Sequence, residues 1–170
     1  MPGQSKHSWK PVIYTLGTST RTLQEFMEIL KHYGIALVAD VRRFPASRRY
    51  PHFNRPGLAA QLAANGIAYH YLGEKLGGYR TGGYEAYTRT AAFHEGIEEL
   101  APLAKSGPTA IVCSERLPWK CHRRFIAAAM AAKGWRVIHI IDAERVYTPP
   151  DAGCDRFPPE HGFPANRSER

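Results

Sequence analysis

The chain has no apolar run near the roughly 18–20 residues that a membrane-spanning helix needs, so helical insertion and membrane partners are not expected. Cysteine is scarce: Cys113, Cys121 and Cys154 are odd in number and lack the spacing of a disulfide framework. The N-terminus also lacks a charged-then-apolar secretory pattern. Reduced thiols and a cytoplasmic location are the expectation. There is no internal repeat, no Walker loop and no G-x-G-x-x-G fingerprint, which removes the commonest nucleotide-binding signatures. Acidic residues are in deficit, 15 against 23 Lys and Arg, for a formal net charge of +8. Such an excess draws phosphate-bearing partners, although it also occurs on surfaces with no ligand.

What is present fits one globular domain. Apolar residues make up 44% and charged residues 22% of the 170, far from the composition of disorder. Residues 1–10 read as an N-terminal tail, 11–145 as a single α/β domain, and 146–170 as a proline-rich C-terminal tail. Within the domain, β-branched or aromatic runs at 12–16, 37–41, 68–72, 109–113 and 136–141 alternate with helical periodicity. Thr22 with Glu25 forms a capping box, and Gly34 and Gly134 end helices. The fold class expected is a three-layer α/β/α arrangement around a mostly parallel sheet of about five strands, in Rossmann-like or flavodoxin-like order. In such folds the loops after the strands meet at one edge, where ligands bind. Gly17 to Thr20, Asp40 to Arg43, Gly73 to Gly78 and Cys113 to Arg124 all fall in those loops.

Each group has a chemical reading and a plainer one. Cys113 ends a strand, and Cys121 and His122 fall at the first turn of the next helix, facing inward, with Arg123 and Arg124 nearer the rim. A thiol beside cations and a helix N-terminus loses its proton more readily. The alternative is that both cysteines are small buried hydrophobes. Their separation matches no common zinc spacing, so no metal is expected. Arg42 and Arg43 offer planar forks for phosphate or carboxylate, with Asp40 orienting Arg42 or merely pairing with it. Ser19 and neighbouring backbone N–H groups suit an anion, and equally suit helix capping. Residues 73–78 read as a flexible loop or lid, and Glu74 and Glu115 as the carboxylates best placed for proton transfer.

Tyr14-Thr-Leu-Gly-Thr-Ser-Thr20, Asp40-Val-Arg-Arg-Phe-Pro45, Tyr71-Leu-Gly-Glu-Lys-Leu-Gly-Gly78 and Cys113-Ser-Glu-Arg-Leu-Pro-Trp-Lys-Cys-His-Arg123 resemble the bacterial and archaeal family called domain of unknown function 488. The likeness spans residues 11–142 and implies a compact α/β domain, with no activity or cofactor attached. Asp-Val-Arg after one strand and Cys ending another are also similar to rhodanese-like sulfurtransferases, but no short loop returns from Cys113 to an Arg.

The expected function is a small cysteine-dependent hydrolase or transferase, without cofactor, acting on a phosphorylated, nucleotide-like or sulfur-bearing anion. Cys113, Cys121, His122 and Glu115 are the candidate catalytic residues. Ser19, Asp40, Arg42, Arg43, Arg123 and Arg124 are the candidate substrate-binding residues. The alternative is a non-catalytic nucleic-acid or nucleotide-binding module.

Overall fold

A computed structural model describes residues 9–149; the expectations for Cys154 and for the remainder of both tails lie outside it. Five parallel strands form the sheet: β1 (Val12–Gly17), β2 (Leu37–Asp40), β3 (Ala68–Tyr71), β4 (Thr109–Cys113) and β5 (Arg136–Ile140). A two-residue strand, β6 (Val146–Tyr147), adds antiparallel to β5, so the first residues of the expected tail belong to the sheet. The order β3-β2-β4-β1-β5-β6 confirms the expected class, a three-layer, mostly parallel sheet. It differs in detail from both expected orders because β4 lies between β1 and β2.

Helices α1 (Leu23–His32) and α2 (Arg55–Ala64) bury Phe26, Leu30, Leu58 and Leu62 against one face, which carries Leu16, Val38 and Val112. The opposite face, with Ile13, Ala39 and Ile111, is covered by α3 (Gly73–Leu76), α5 (Ala91–Lys105) and α6 (Arg123–Ala132) through Leu76, Ile97 and Ile126. Short α4 (Tyr84–Tyr87) sets Tyr84 and Tyr87 against that second core. The capping box at Thr22 and Glu25 starts α1 as expected. Thr90 caps α5 and marks the break before it.

Two local expectations are corrected. Residues 73–76 form α3 rather than a loose lid, because Gly73 and Leu76 are buried and Tyr84 and Tyr87 donate to the carbonyls of Leu76 and Lys75. The helix after β4 begins later than its sequence suggests. Pro118–Lys120 makes a 3₁₀ turn, Cys121 is extended, and His122 is the N-cap of α6.

Chains leaving β1 and β2 cross to the face of α1 and α2, whereas the chain leaving β4 crosses to the face of α6. Right-handed crossovers impose this reversal once β4 lies between them. The crevice it opens at the strand ends is the place where open α/β sheets bind ligands, and Cys113 is the last residue of β4.

Close approach at that edge requires Gly17. A Cβ there would run into the Glu115 carbonyl and lie 2.9 Å from the Arg116 Cα, backbone atoms that cannot swing aside. Gly17→Ala should therefore cost about 1–3 kcal/mol in urea unfolding. Gly57→Ala, in α2 with open space around it, should be neutral or stabilise by up to about 1 kcal/mol. Equal effects of the two changes would contradict the close approach.

Candidate functional site

β4 is buried throughout and delivers Cys113 to the strand edge at 1% exposure. The 3₁₀ turn at Pro118 then doubles the chain back, so that Cys121 Sγ lies 2.8 Å from Cys113 Sγ; both cysteines are free. Beneath them is Arg123, which is 0% exposed. Its Nη1 donates to Cys113 Sγ at 2.7 Å and to the Glu115 carbonyl, and its Nη2 donates to the Arg116 carbonyl at 2.8 Å. Its Nε has no hydrogen-bond partner. Among the described residues Arg123 makes no ion pair with a carboxylate. The expectation that Arg123 lies near the rim is thus corrected: the delayed start of α6 turns its side chain into the protein.

A guanidinium keeps its charge at any ordinary pH, and burying it without an anion is costly. The group positioned to answer that charge is the Cys113 sulfur. Burial pushes the Cys113 thiol up, but the Cys121 S–H and the Arg123 guanidinium outweigh it and bring the pKa down to about 7. Cys121 moves the other way, raised by its bond to Cys113, by burial and by the charge of Cys113. Of the two sulfurs, Cys113 is therefore the one that gives up its proton more readily.

His122 Nε2 is 3.1 Å from the Val41 carbonyl, which can only accept, so Nε2 carries the proton and donates. Nδ1 then presents a lone pair to Cys121 Sγ at 3.6 Å. Burial lowers the His122 pKa to about 4; the Val41 bond opposes the shift, and the charges of Arg123 and Arg80 add to it. At neutral pH the ring is uncharged.

His139, on the far side of Arg123, lies in β5 with Nδ1 2.6 Å from Thr15 Oγ1. Burial, and then the charge of Arg123, lower its pKa to about 3. Nothing in the sequence set it apart from an ordinary strand residue.

A second buried cluster stands beside the first. Asp40 receives Arg42 Nε and Nη2, each at 2.9 Å, and the Tyr69 hydroxyl at 2.6 Å, while Arg42 Nη1 donates to the Phe53 carbonyl at 2.7 Å. Burial works against the charge of Arg42, and the bond to Asp40 overcomes it, so its pKa is raised. Asp40 and Arg42 thus pair, as both alternatives open from the sequence require.

Two clefts flank the end of β4. The larger, about 640 Å³, is lined by Arg42, Arg43, Cys113, Lys120, Cys121 and His122, with Phe44, Tyr79 and Glu115 among its other walls. The smaller, about 330 Å³, runs from Ser19 past Arg42 and Arg49 to Arg116. Arg42, Phe44, Ser114 and Glu115 border both. Phe44 and Tyr79 are 66% and 86% exposed, with ring centroids 6.2 Å apart. Tyr79 has φ +58°, unusual for a bulky residue, and its carbonyl receives Arg43 Nη1.

Of the residues picked from sequence, Cys113, Cys121, His122, Glu115, Arg42 and Arg43 meet at the larger cleft. Ser19 lines only the smaller one, and the Thr18 and Ser19 N–H groups are spent on the Cys113 and Ser114 carbonyls instead of being open to an anion. Arg124 borders neither cleft; it donates to the Trp119 carbonyl and lies over the Phe125 ring. Glu74 also lies outside both. Lys120, Arg116 and the aromatic lip were missed, since position in a loop gives no sign of which side chains line a cleft. Among the described residues no group of three or more His, Cys, Asp or Glu is arranged to hold a metal ion, and no helix is long and apolar enough to cross a membrane.

This arrangement belongs to a mostly parallel α/β protein with a buried Arg–Cys cluster at its strand edge. Residues 22–130 match the family described as domain of unknown function DUF488, and the chain belongs to that family. No curated protein and no solved structure matches it.

Removing the Asp40 carboxylate leaves Arg42 buried and unpaired, which should cost about 3–5 kcal/mol. Asp40→Ala should show that loss in urea unfolding, and Asp40→Ala combined with Arg42→Met should recover part of it. Equal loss in the single and double variants would contradict the pairing.

Proposed function

We propose that the protein is a cysteine-dependent enzyme, a transferase or hydrolase, in which the Cys113 thiolate attacks an anionic substrate seated in the larger cleft. The observation that carries this reading is the 2.7 Å contact between Arg123 Nη1 and Cys113 Sγ at the end of β4. A thiolate is the nucleophilic form of cysteine, and a buried cation is an effective way to maintain it at neutral pH. Arg123 accordingly holds the nucleophile and does not bind substrate. Arg43 and Lys120 supply the positive wall against which the anion lies, and Arg42, paired with Asp40, fixes its inner edge. Neutral His122 and exposed Glu115 are the groups in the cleft able to take or give a proton. Phosphorylated, nucleotide-like and sulfur-bearing anions all satisfy the charge of this wall.

A second reading, nucleic-acid binding without chemistry, is favoured by one observation: exposed Phe44 and Tyr79 stand beside Arg43 at the lip, an arrangement on which bases could stack. Binding of that kind weakens steeply with salt and survives Cys113→Ser.

Alkylation by iodoacetamide as a function of pH tests the first reading. The rate at Cys113 should rise with the thiolate fraction through a midpoint near pH 7, following the lowered pKa of about 7. Arg123→Lys should retain most of that depression, and Arg123→Met should move the midpoint upward toward that of an ordinary thiol. A midpoint in the unaltered protein at or above the ordinary value of 9.0 would overturn the proposal.

A further inference from the structure

We propose that Cys113 and Cys121 act in sequence, as attacking and resolving thiols, on a small anionic substrate that contains a sulfur–sulfur bond. This rests on the reading of Cys113 as the nucleophile and narrows its substrate class.

The placement of Cys121 discriminates between chemistries. Its sulfur faces the Cys113 sulfur at 2.8 Å. Attack by a second thiol on that atom is productive only when Cys113 carries a group that leaves with the electrons of a bond to its sulfur, as in a mixed disulfide. In an acyl or phosphoryl adduct the electrophilic atom is carbon or phosphorus, one bond further out, and a thiol held against the Cys113 sulfur does nothing for turnover. A purely structural pair would not need a cleft leading to it, and these two sulfurs line one together with Arg42, Arg43 and Lys120.

The charges around the pair order the two steps. In the resting state Cys121 keeps its proton because it donates to the Cys113 thiolate. The thiolate attacks the substrate R–S–S–R, forming Cys113–S–S–R and expelling R–S⁻. The charge on Cys113 is now gone, and with it the main cause holding the proton on Cys121. The Arg123 guanidinium has lost its anion, and the Arg123 backbone N–H already reaches Cys121 Sγ at 3.5 Å. The Cys121 proton passes by way of His122 Nδ1, 3.6 Å away with its lone pair free to accept, in transit to the departing sulfur, since a ring whose pKa is lowered to about 4 does not hold it. The Cys121 thiolate then attacks the Cys113 sulfur, the S–S–R bond breaks, and the second R–S⁻ leaves as R–SH with the proton from His122. In sum, one thiolate and one thiol are oxidised by two electrons to the Cys113–Cys121 disulfide, while one substrate disulfide is reduced to R–S⁻ and R–SH. His122 is a proton relay here because Val41 fixes its tautomer.

Glutathione disulfide, a small disulfide bearing several carboxylates, is the probe. Fully reduced protein with Cys154→Ser, which removes the third thiol, is incubated with it near pH 7, quenched in acid and weighed intact. The expected product is lighter by two hydrogens and retains no glutathionyl group. With Cys121→Ser or Cys121→Ala added, one glutathionyl group should remain, and peptide mapping should locate it on Cys113. With Cys113→Ser, reaction should slow by about tenfold or more, since the protonated Cys121 thiol reacts poorly. The reading of the parent protein needs no further variant, so a variant that misfolds does not spoil the test. A glutathionyl group that persists on Cys113 while Cys121 is present, or first attack by Cys121, would overturn the sequence of steps. If Cys113 alkylates with a midpoint near pH 7 and yet forms neither product, the sulfur substrate class fails and the thiolate reading stands. If the alkylation midpoint is that of an ordinary thiol, both fail.

Discussion

Arg123 is a permanent cation with no exposed surface, and the strand edge is built around that fact. Its Nη atoms gather the Glu115 and Arg116 carbonyls, so the turn after β4 wraps the guanidinium instead of facing solvent. Oriented carbonyl dipoles offset part of the cost of burial, but a full charge in a dry site calls for a counter-charge. The Cys113 sulfur, at 2.7 Å, is the group placed to supply it. The lowered pKa of Cys113, the raised pKa of Cys121, the neutral state of His122 and the lowered pKa of His139 all take part of their cause from this one cation or from the Cys113 sulfur beside it. In the proposed function stability and chemistry are coupled: the contact that answers a buried arginine is the one that would activate a sulfur.

Topology decides which clefts lie beside that contact. Because β4 is inserted between β1 and β2, its own connection departs to the face opposite theirs, and two clefts flank its end. Arg42, held by Asp40, borders both. The two buried arginines differ in kind. Arg42 is satisfied by a carboxylate in a net-neutral pair, whereas Arg123 is met by a sulfur and backbone carbonyls.

The legible parts of this fold were those set by local physics. The capping box at Thr22, the periodicity of Phe26, Met27 and Leu30, and the β-branched runs of the parallel strands all depend on near neighbours in sequence, and they appear where expected. The gathering of Asp40, Arg42, Cys113 and His122 at one edge followed from parallel topology alone. Non-local facts were illegible. In Cys121-His122-Arg123-Arg124, which arginine turns inward depends on where α6 begins, and the 3₁₀ turn at Pro118 postpones that start. The packing of Gly73 against the Arg42 backbone made a helix of a stretch that reads as a loop. Two-residue β6 exists only because β5 offers it an edge. Ser19 was a sound residue type in a sound place, but its N–H and that of Thr18 extend the pairing of β1 with β4.

The most direct measurement is a spectrophotometric titration of thiolate absorbance in the ultraviolet, taken as the difference between the protein and its Cys113→Ser variant. The account predicts a difference of one thiolate that appears with a midpoint near pH 7, as expected for a Cys113 pKa of about 7. A difference that appears only near the ordinary thiol value of 9.0 would show that Arg123 lies beside a neutral thiol, and would contradict the account.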